Sequence, residues 1–273
     1  MKSEIRASLF LRLPPLLLAI FILLAMIVPL MVPGDPNTIN VQRKLAAPGE
    51  CGLLGTDALG RDVFSRVVHG GRTALIIGLT TVVLSMALSA TFGLTAGYVG
   101  GRWDVIISAI LDMILTLPGL LVTLAIIGIL GTGRLAMVIA LVGASWAGEA
   151  RVLRGTTLAI RTSGYVDAAH AIGASNAWIL WRHVLPNTAS TLLVLASLNL
   201  GDVLLVVSAL SFLGLGTQPP DADWGTMLAD GRAFFGQAPW LMLAPGFCIV
   251  FYSMLCNLTG DALGSLVDRR RRR

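Results

Sequence analysis

Long uncharged runs separated by short polar connections set the pattern of this chain. Leu13 to Val32 is free of charge and stops at Pro33-Gly34, Ala74 to Val99 is bounded by Arg72 and Arg102, and Val105 to Leu130 holds a single charge, Asp112. A shorter run, Leu135 to Ala150, closes on Glu149 and Arg151; Ala189 to Leu215 contains Asp202, and Trp240 to Leu258 is uncharged. Crossing hydrocarbon takes about 20 apolar residues in a helix, because every backbone polar group must be paired inside the segment. The pattern therefore predicts an all-α, polytopic membrane protein of about six spans.

Lys2, Arg6 and Arg12 precede the first run, as they would in a signal peptide. That run is longer than an h-region of about 7 to 15 residues, and no small-x-small cleavage site follows it closely, so it reads as an anchor. Composition agrees: 55% of residues are hydrophobic and 13% charged. Soluble domains carry about a quarter charged residues, which excludes an ordinary soluble enzyme. The net charge of +5 equals the contribution of Arg269 to Arg273 alone. It describes a tail near anionic lipid rather than a nucleic-acid surface. Cys51, Cys248 and Cys256 have no redox or zinc spacing and read as packing residues.

Basic residues resist translocation, so their distribution orients the spans. With the N-terminus cytoplasmic, thirteen Lys and Arg lie inside and seven outside, which puts both termini in the cytoplasm. The loop from Pro33 to Thr73 runs against the rule with five of the seven. Within it, Arg61 to Arg72 is expected to form an amphipathic piece along the membrane surface before the second span. Pro118 and Pro245-Gly246 mark expected kinks or broken turns.

The connection from Arg161 to Pro186 is too polar to span. Ser163 can cap a short helix with an apolar face of Val166, Ala169 and Ile172, and Gly173 suits a left-handed stop. A second short helix is expected from Ser175 to Val184, with Pro186 in the first turn of the fifth span. Ala168, Ala169, Ala171, Gly173 and Ala174 leave a low knob able to enter a groove. On physics alone, the segment also reads as an interfacial helix with Trp178 and Trp181 in the headgroup belt.

Here the chain resembles a known family. Asp167-Ala168-Ala169, then Gly173, then Leu185-Pro186 is similar to the E-A-A, G, L-P signature of ABC importer permeases. Leu54-Gly55-Thr56-Asp57-x-Leu59-Gly60-Arg61-Asp62-Val63-x-Ser65-Arg66 extends the likeness, as do Ser211-Phe212-Leu213-Gly214-Leu215-Gly216, Gln218-Pro219-Pro220, Trp224-Gly225 and Asn257-Leu258-x-Gly260-Asp261-Ala262-Leu263. Together they resemble the second permease subunit of oligopeptide, dipeptide and nickel importers.

The resemblance implies a type I importer fold in a bacterial cell membrane, with residues 1–53 as anchor and start of the outer loop and 54–273 as the permease domain. It implies docking of the 161–186 segment into a cytoplasmic ATPase, through Tyr165, Asp167, Ala168, Ala169, Gly173, Ala174 and Pro186. It further implies a second permease subunit, ATPase subunits that use ATP and Mg, and an external binding protein that delivers peptide or, as the other choice, nickel or a metal chelate. No cofactor is expected in this chain itself. Three departures stand out: Asp167 where the family has Glu, Ala109 where an Arg often precedes the acid of the third span, and Asp268-Arg269-Arg270 in place of D-P-R.

An ionisable group within a span is costly and marks a partner or a wet cavity. Asp112, Asn199 and Asp202 are the pathway candidates; Asp112 also reads as an interhelical structural acid. Glu149 is expected in a solvated ion pair with Arg151 or Arg154. His69, His170 and His183 do not cluster, so no metal site is expected. No phosphate loop, H-E-x-x-H or G-x-S-x-G motif is present, so the chain is expected to be non-catalytic. The same acids leave a proton-coupled secondary transporter open as the rival function.

Overall fold

The computed structural model describes residues 2–32, 35–218 and 220–271, with side chains described for 12–32, 35–218 and 220–267. The side chains of Lys2, Arg6 and Asp268 to Arg273, the Pro33-Gly34 stop and Pro219 lie outside the described residues. Every named element is helical: α1 (Lys2–Met31), α2 (Val63–Val99), α3 (Gly101–Leu115), α4 (Gly119–Leu130), α5 (Arg134–Arg161), α6 (Gly164–Ala171), α7 (Asn176–Ile179), α8 (Leu185–Phe212), α9 (Trp224–Gly231) and α10 (Trp240–Arg271). Among the described residues, five helical runs are long and apolar enough to cross a membrane, and α3 with α4 makes a sixth when counted as one broken span.

Pro118 breaks that third span. The proline ring disfavours a helical conformation at Leu117 and lacks an N–H, and α3 and α4 part there at 87°. Pro245 does not act the same way: α10 runs through it uninterrupted. The expected surface helix at Arg61 to Arg72 is also absent. Residues from Val63 onward are the first turns of α2, whose 37 residues extend about 55 Å, well beyond hydrocarbon about 30 Å thick. Arg61 and Arg66 are buried rather than spread on a surface. Asp57 explains this: its Oδ2 lies 2.6 Å from Arg61 Nε and 3.8 Å from Arg66 Nε. Asp62 caps α2, accepting from Ser65 N at 2.7 Å.

α2 and α5 form the most extensive helix pair. Gly93 and Gly97 make that approach possible. A Cβ on Gly93 would sit 2.5 Å from Ala150 O, and one on Gly97 2.7 Å from Arg154 O. α8 and α10 close on each other in the same manner, since a Cβ on Gly260 would meet Leu198 Cδ2 at 2.5 Å. Small residues at helix crossings bring backbones together, which matters in lipid, where apolar burial adds no drive between helices.

Two ends result. At the cap end, Trp224 Nε1 donates to Val67 O at 2.8 Å and Arg134 pairs with Asp221 at 2.7 Å, tying α9 to the start of α2 and the 213–223 loop to the α4–α5 turn. At the hairpin end, Arg154 pairs with Asp104, and α6 and α7 fold back beneath α2, α5 and α8. Arg12, Pro186 and Val267 line one groove, so the start of the apolar part of α1 and the end of α10 lie at the hairpin end too.

Candidate functional site

The hairpin grows out of α5, which continues three turns past its expected end at Ala150 to Arg161. Ser163 occupies the N-cap position of α6, but its hydroxyl donates to Ile160 O instead of capping. Of the expected apolar face, Val166 and Ala169 are buried, whereas Ile172 is 82% exposed. Ile172 is the C-cap of α6, which ends at Ala171, and Gly173 takes φ +80°, the expected left-handed stop. Ser175 caps α7 as expected, accepting from Trp178 N at 3.3 Å.

The expected break before the fifth span is missing. α7 passes through a π-helical turn, Leu180–Val184, directly into α8. Leu185 N donates five residues back to Leu180 O. Pro186 has no N–H and its ring would clash with the carbonyl four residues earlier, so the wider turn lets one continuous helix accommodate it.

Val166, Ala169, Ile179 and Val184 form a small core with Leu94, Tyr98 and Leu153. Tyr98 Oη lies 3.3 Å from His170 Nε2 and donates to Asn176 Oδ1 at 3.2 Å. Tyr165, Asp167, Ala168, Ala171 and Gly173 stand exposed, Ala174 is half-buried and Pro186 is exposed. The hairpin is thus bolted to α2, α5 and α8 on one side and presents a low, small-residue knob with one carboxylate on the other.

Above it, α4, α5 and α8 surround a cavity of about 410 Å³. The α5 stripe Leu141, Ser145, Glu149 and Val152 forms one wall, and the α8 stripe Asn199, Asp202 and Val206 another. Gly119 and Leu120, at the N-terminus of α4, close a third side. Asn199 and Asp202 are therefore brought together. Asp112 is not with them: it pairs with Arg151 across α3 and α5, with both side chains substantially exposed, the geometry of an interhelical acid.

Glu149 departs from its expected ion pair. Arg151 and Arg154 turn to Asp112 and Asp104, because two and five residues along a helix lie on different faces from Glu149. Glu149 is instead 8% exposed, with Oε2 3.0 Å from Ser89 Oγ. Ser145, one turn earlier, bonds Ser85 across the same seam at 2.7 Å. The signal was present in the sequence as the i, i+4 pair Ser145 and Glu149, but the neighbouring arginines masked it. His69 contacts Ser65 O, His170 Tyr98, and His183 the rings of Tyr165 and Trp178.

Of the remaining motifs, Leu54 to Arg66, Ser211 to Gly216 and Trp224-Gly225 build the cap end, whereas Asn257 to Leu263 lies in α10 against α8, with Leu263 in the hairpin-end groove. Gly55 and Gly60 take positive φ, and a Cβ on Gly60 would lie 1.8 Å from Asn40 O, so the 35–62 loop closes on itself there. Gly225 packs against Ser208 O, where a Cβ would come within 2.3 Å. Asp223, 1% exposed, caps α9 by accepting from Gly225 N at 2.8 Å and Thr226 N at 3.2 Å. Burial pushes its carboxyl above the ordinary carboxylate range, and those two N–H groups oppose the shift.

Residues 89–273 match the family described as binding-protein-dependent transport system inner membrane component. The chain is 38% identical over 259 residues to a putative peptide transport system permease protein of Brucella suis biovar 1 (strain 1330), covering 95% of this chain and 87% of that one. It is 38% identical over 249 residues to the dipeptide transport system permease protein DppC of Alkalihalophilus pseudofirmus, covering 91% and 82%. It is also 37% identical over 239 residues to the glutathione transport system permease protein GsiD of Pectobacterium atrosepticum, covering 87% and 79%. Among solved structures, an inward-facing MetNI methionine ABC transporter chain aligns with a TM-score of 0.54 at 20% identity, covering 71% of this chain and 94% of that one, a likeness of fold.

Proposed function

The chain belongs to the family of binding-protein-dependent transport system inner membrane components, and from that premise we propose that it forms half of a peptide translocation pathway moved by separate ATPase subunits. A second permease supplies the other half, and an external binding protein delivers di- or oligopeptides; the peptide and dipeptide permeases among its relatives support that choice over nickel. The observation that carries the reading is the hairpin: an exposed knob around Asp167 whose other face is sunk in a core shared with α2, α5 and α8. A push on such a knob reaches two walls of the cavity without passing through a flexible joint.

In this reading the ATPases bind and hydrolyse ATP with Mg, and this subunit does no bond chemistry. Asp167, Ala168 and Gly173 seat the knob, whereas Ala169, expected among the docking residues, is buried and anchors it to the helices behind; Asn199 and Asp202 face the path. The experiment is uptake of a labelled dipeptide into vesicles holding the whole assembly. Uptake should stop when ATP is removed with the proton gradient intact, and continue when the gradient is collapsed with ATP held constant. The opposite pattern would establish the proton-coupled rival, with Asp112 or Asp202 as its proton site.

A further inference from the structure

Glu149 sits where a membrane helix tolerates a carboxylate only with a partner, and the chain provides too little of one. Oε1 has no hydrogen-bond partner among the described residues, although the side chain is more than nine-tenths buried. Oε2 faces Ser89 Oγ, but that hydroxyl also lies 2.7 Å from Ser85 O and 2.8 Å from Trp146 O. A serine carries one proton to donate, and three acceptors compete for it. Glu149 is among the residues lining the cavity, with its carboxyl turned toward the α2–α5 seam and short of a donor there, and Asp202 faces the same space from α8 with Asn199 one turn away. Among the described residues, no lysine or arginine lines this cavity.

We propose that Glu149 and Asp202 form a recognition site for a protonated amine, the α-ammonium of a peptide in transit; this deepens, and rests on, the peptide-permease reading. An ammonium brings three donors to a carboxylate pair and an amide oxygen, and Glu149, whose Oε1 is unpaired in the seam, gains a donor by turning its carboxyl toward the cavity. A divalent metal fits less well, since the described residues contain no group of three or more His, Cys, Asp or Glu able to hold one. The volume of about 410 Å³ lies within the range of small-molecule pockets. The largely apolar lining concentrates the field of the two acids on whatever enters.

The test reads charge preference inside the cavity without relying on transport. In the complete transporter, with Cys51, Cys248 and Cys256 replaced by alanine, Ser145→Cys and separately Val206→Cys report from the two walls. Each is modified with a cationic thiosulfonate, methanethiosulfonate ethylammonium, and with its anionic ethylsulfonate counterpart. The cationic reagent should react faster by about tenfold, after correction for a free thiol, and Glu149→Gln with Asp202→Asn should erase the preference. Glycylglycine amide, which keeps the α-ammonium, should slow the cationic reaction, and its N-acetyl form should not. An unchanged preference in the double variant, as a neutral protonated Glu149 and a silent Asp202 would give, overturns the site. Protection by Ni²⁺ in place of the amine overturns the ligand. ATP-driven uptake by the unsubstituted assembly is followed alongside: its loss of ATP dependence would sink the permease reading, whereas intact uptake with no charge preference sinks the amine site alone.

Discussion

Ser89 shows how much one hydroxyl can decide. It is buried on α2, it is the only described donor to Glu149, and it ties that carboxyl to the α2–α5 seam. Leaving a buried polar group without a donor costs about 1 to 3 kcal/mol, so Ser89→Ala should lower the thermal stability of the purified assembly by that order. A melting midpoint equal to the parent would mean that Glu149 draws nothing from Ser89. Asp223 offers a residue-scale test with a pH signature. Burial raises its carboxyl in the folded protein above the ordinary value of 3.8. Between the two values the folded chain holds a proton that the unfolded chain has lost. Stability contributed by this group is therefore greatest below 3.8, declines as pH rises through the raised value, and is flat above it. Asp223→Asn keeps an oxygen for the N–H groups of Gly225 and Thr226 and should remove that slope in melts taken across mildly acid pH. Asp223→Ala removes the cap as well and should cost about 1 kcal/mol more.

Helices carry these residues to their places, and here the hairpin is the informative unit. Val166 is fully buried under the knob without facing the proposed partner. Val166→Ala opens a void beneath α6, at about 2 kcal/mol or less, and loosens the knob from the helices it is meant to move. Peptide uptake should then fall more than ATP hydrolysis by the same assembly; equal losses would mean that the knob's anchoring plays no part in coupling. The sequence made this unit legible in part. Ser175, Gly173 and Pro118 act through local chemistry, a side-chain acceptor, a left-handed φ and a missing N–H, and each ends or starts a helix where composition places it. Pro245 carries the same chemistry, yet α10 runs through it; neighbouring helices in a membrane bundle can satisfy the groups a proline frees. The π turn before Pro186 and the run of α5 to Arg161 were illegible for a related reason: a polar stretch that extends a packed helix has no composition of its own. Glu149 was misread because adjacency in sequence suggested a partner that helical phase turns away. The stripe Ser145, Glu149, facing Asn199, Asp202, becomes visible only once α5 and α8 are set side by side.

Orientation belongs to the whole molecule, and the two ends make it testable. The hairpin, the start of the apolar part of α1 and the end of α10 share one end, and the 35–62 loop, α9 and the α4–α5 turn share the other. The excess of basic residues predicts that the first end faces the cytoplasm. The five basic residues of the long loop run against that assignment, but Asp57 draws Arg61 and Arg66 into a folded cap. Two of the five thus share one acid and are buried in the folded cap rather than spread along the membrane surface. Ile172, 82% exposed at the hairpin end, and Leu53, 72% exposed at the cap end, are the reporters. In the cysteine-free background, Leu53→Cys should react with a membrane-impermeant thiol reagent added to intact cells, and Ile172→Cys only in inside-out vesicles. The reverse pattern would put the knob out of reach of any ATPase and remove the basis of the coupling mechanism. The expected pattern would leave the hairpin facing the compartment that holds ATP, with the Glu149 and Asp202 cavity lying between it and the cap.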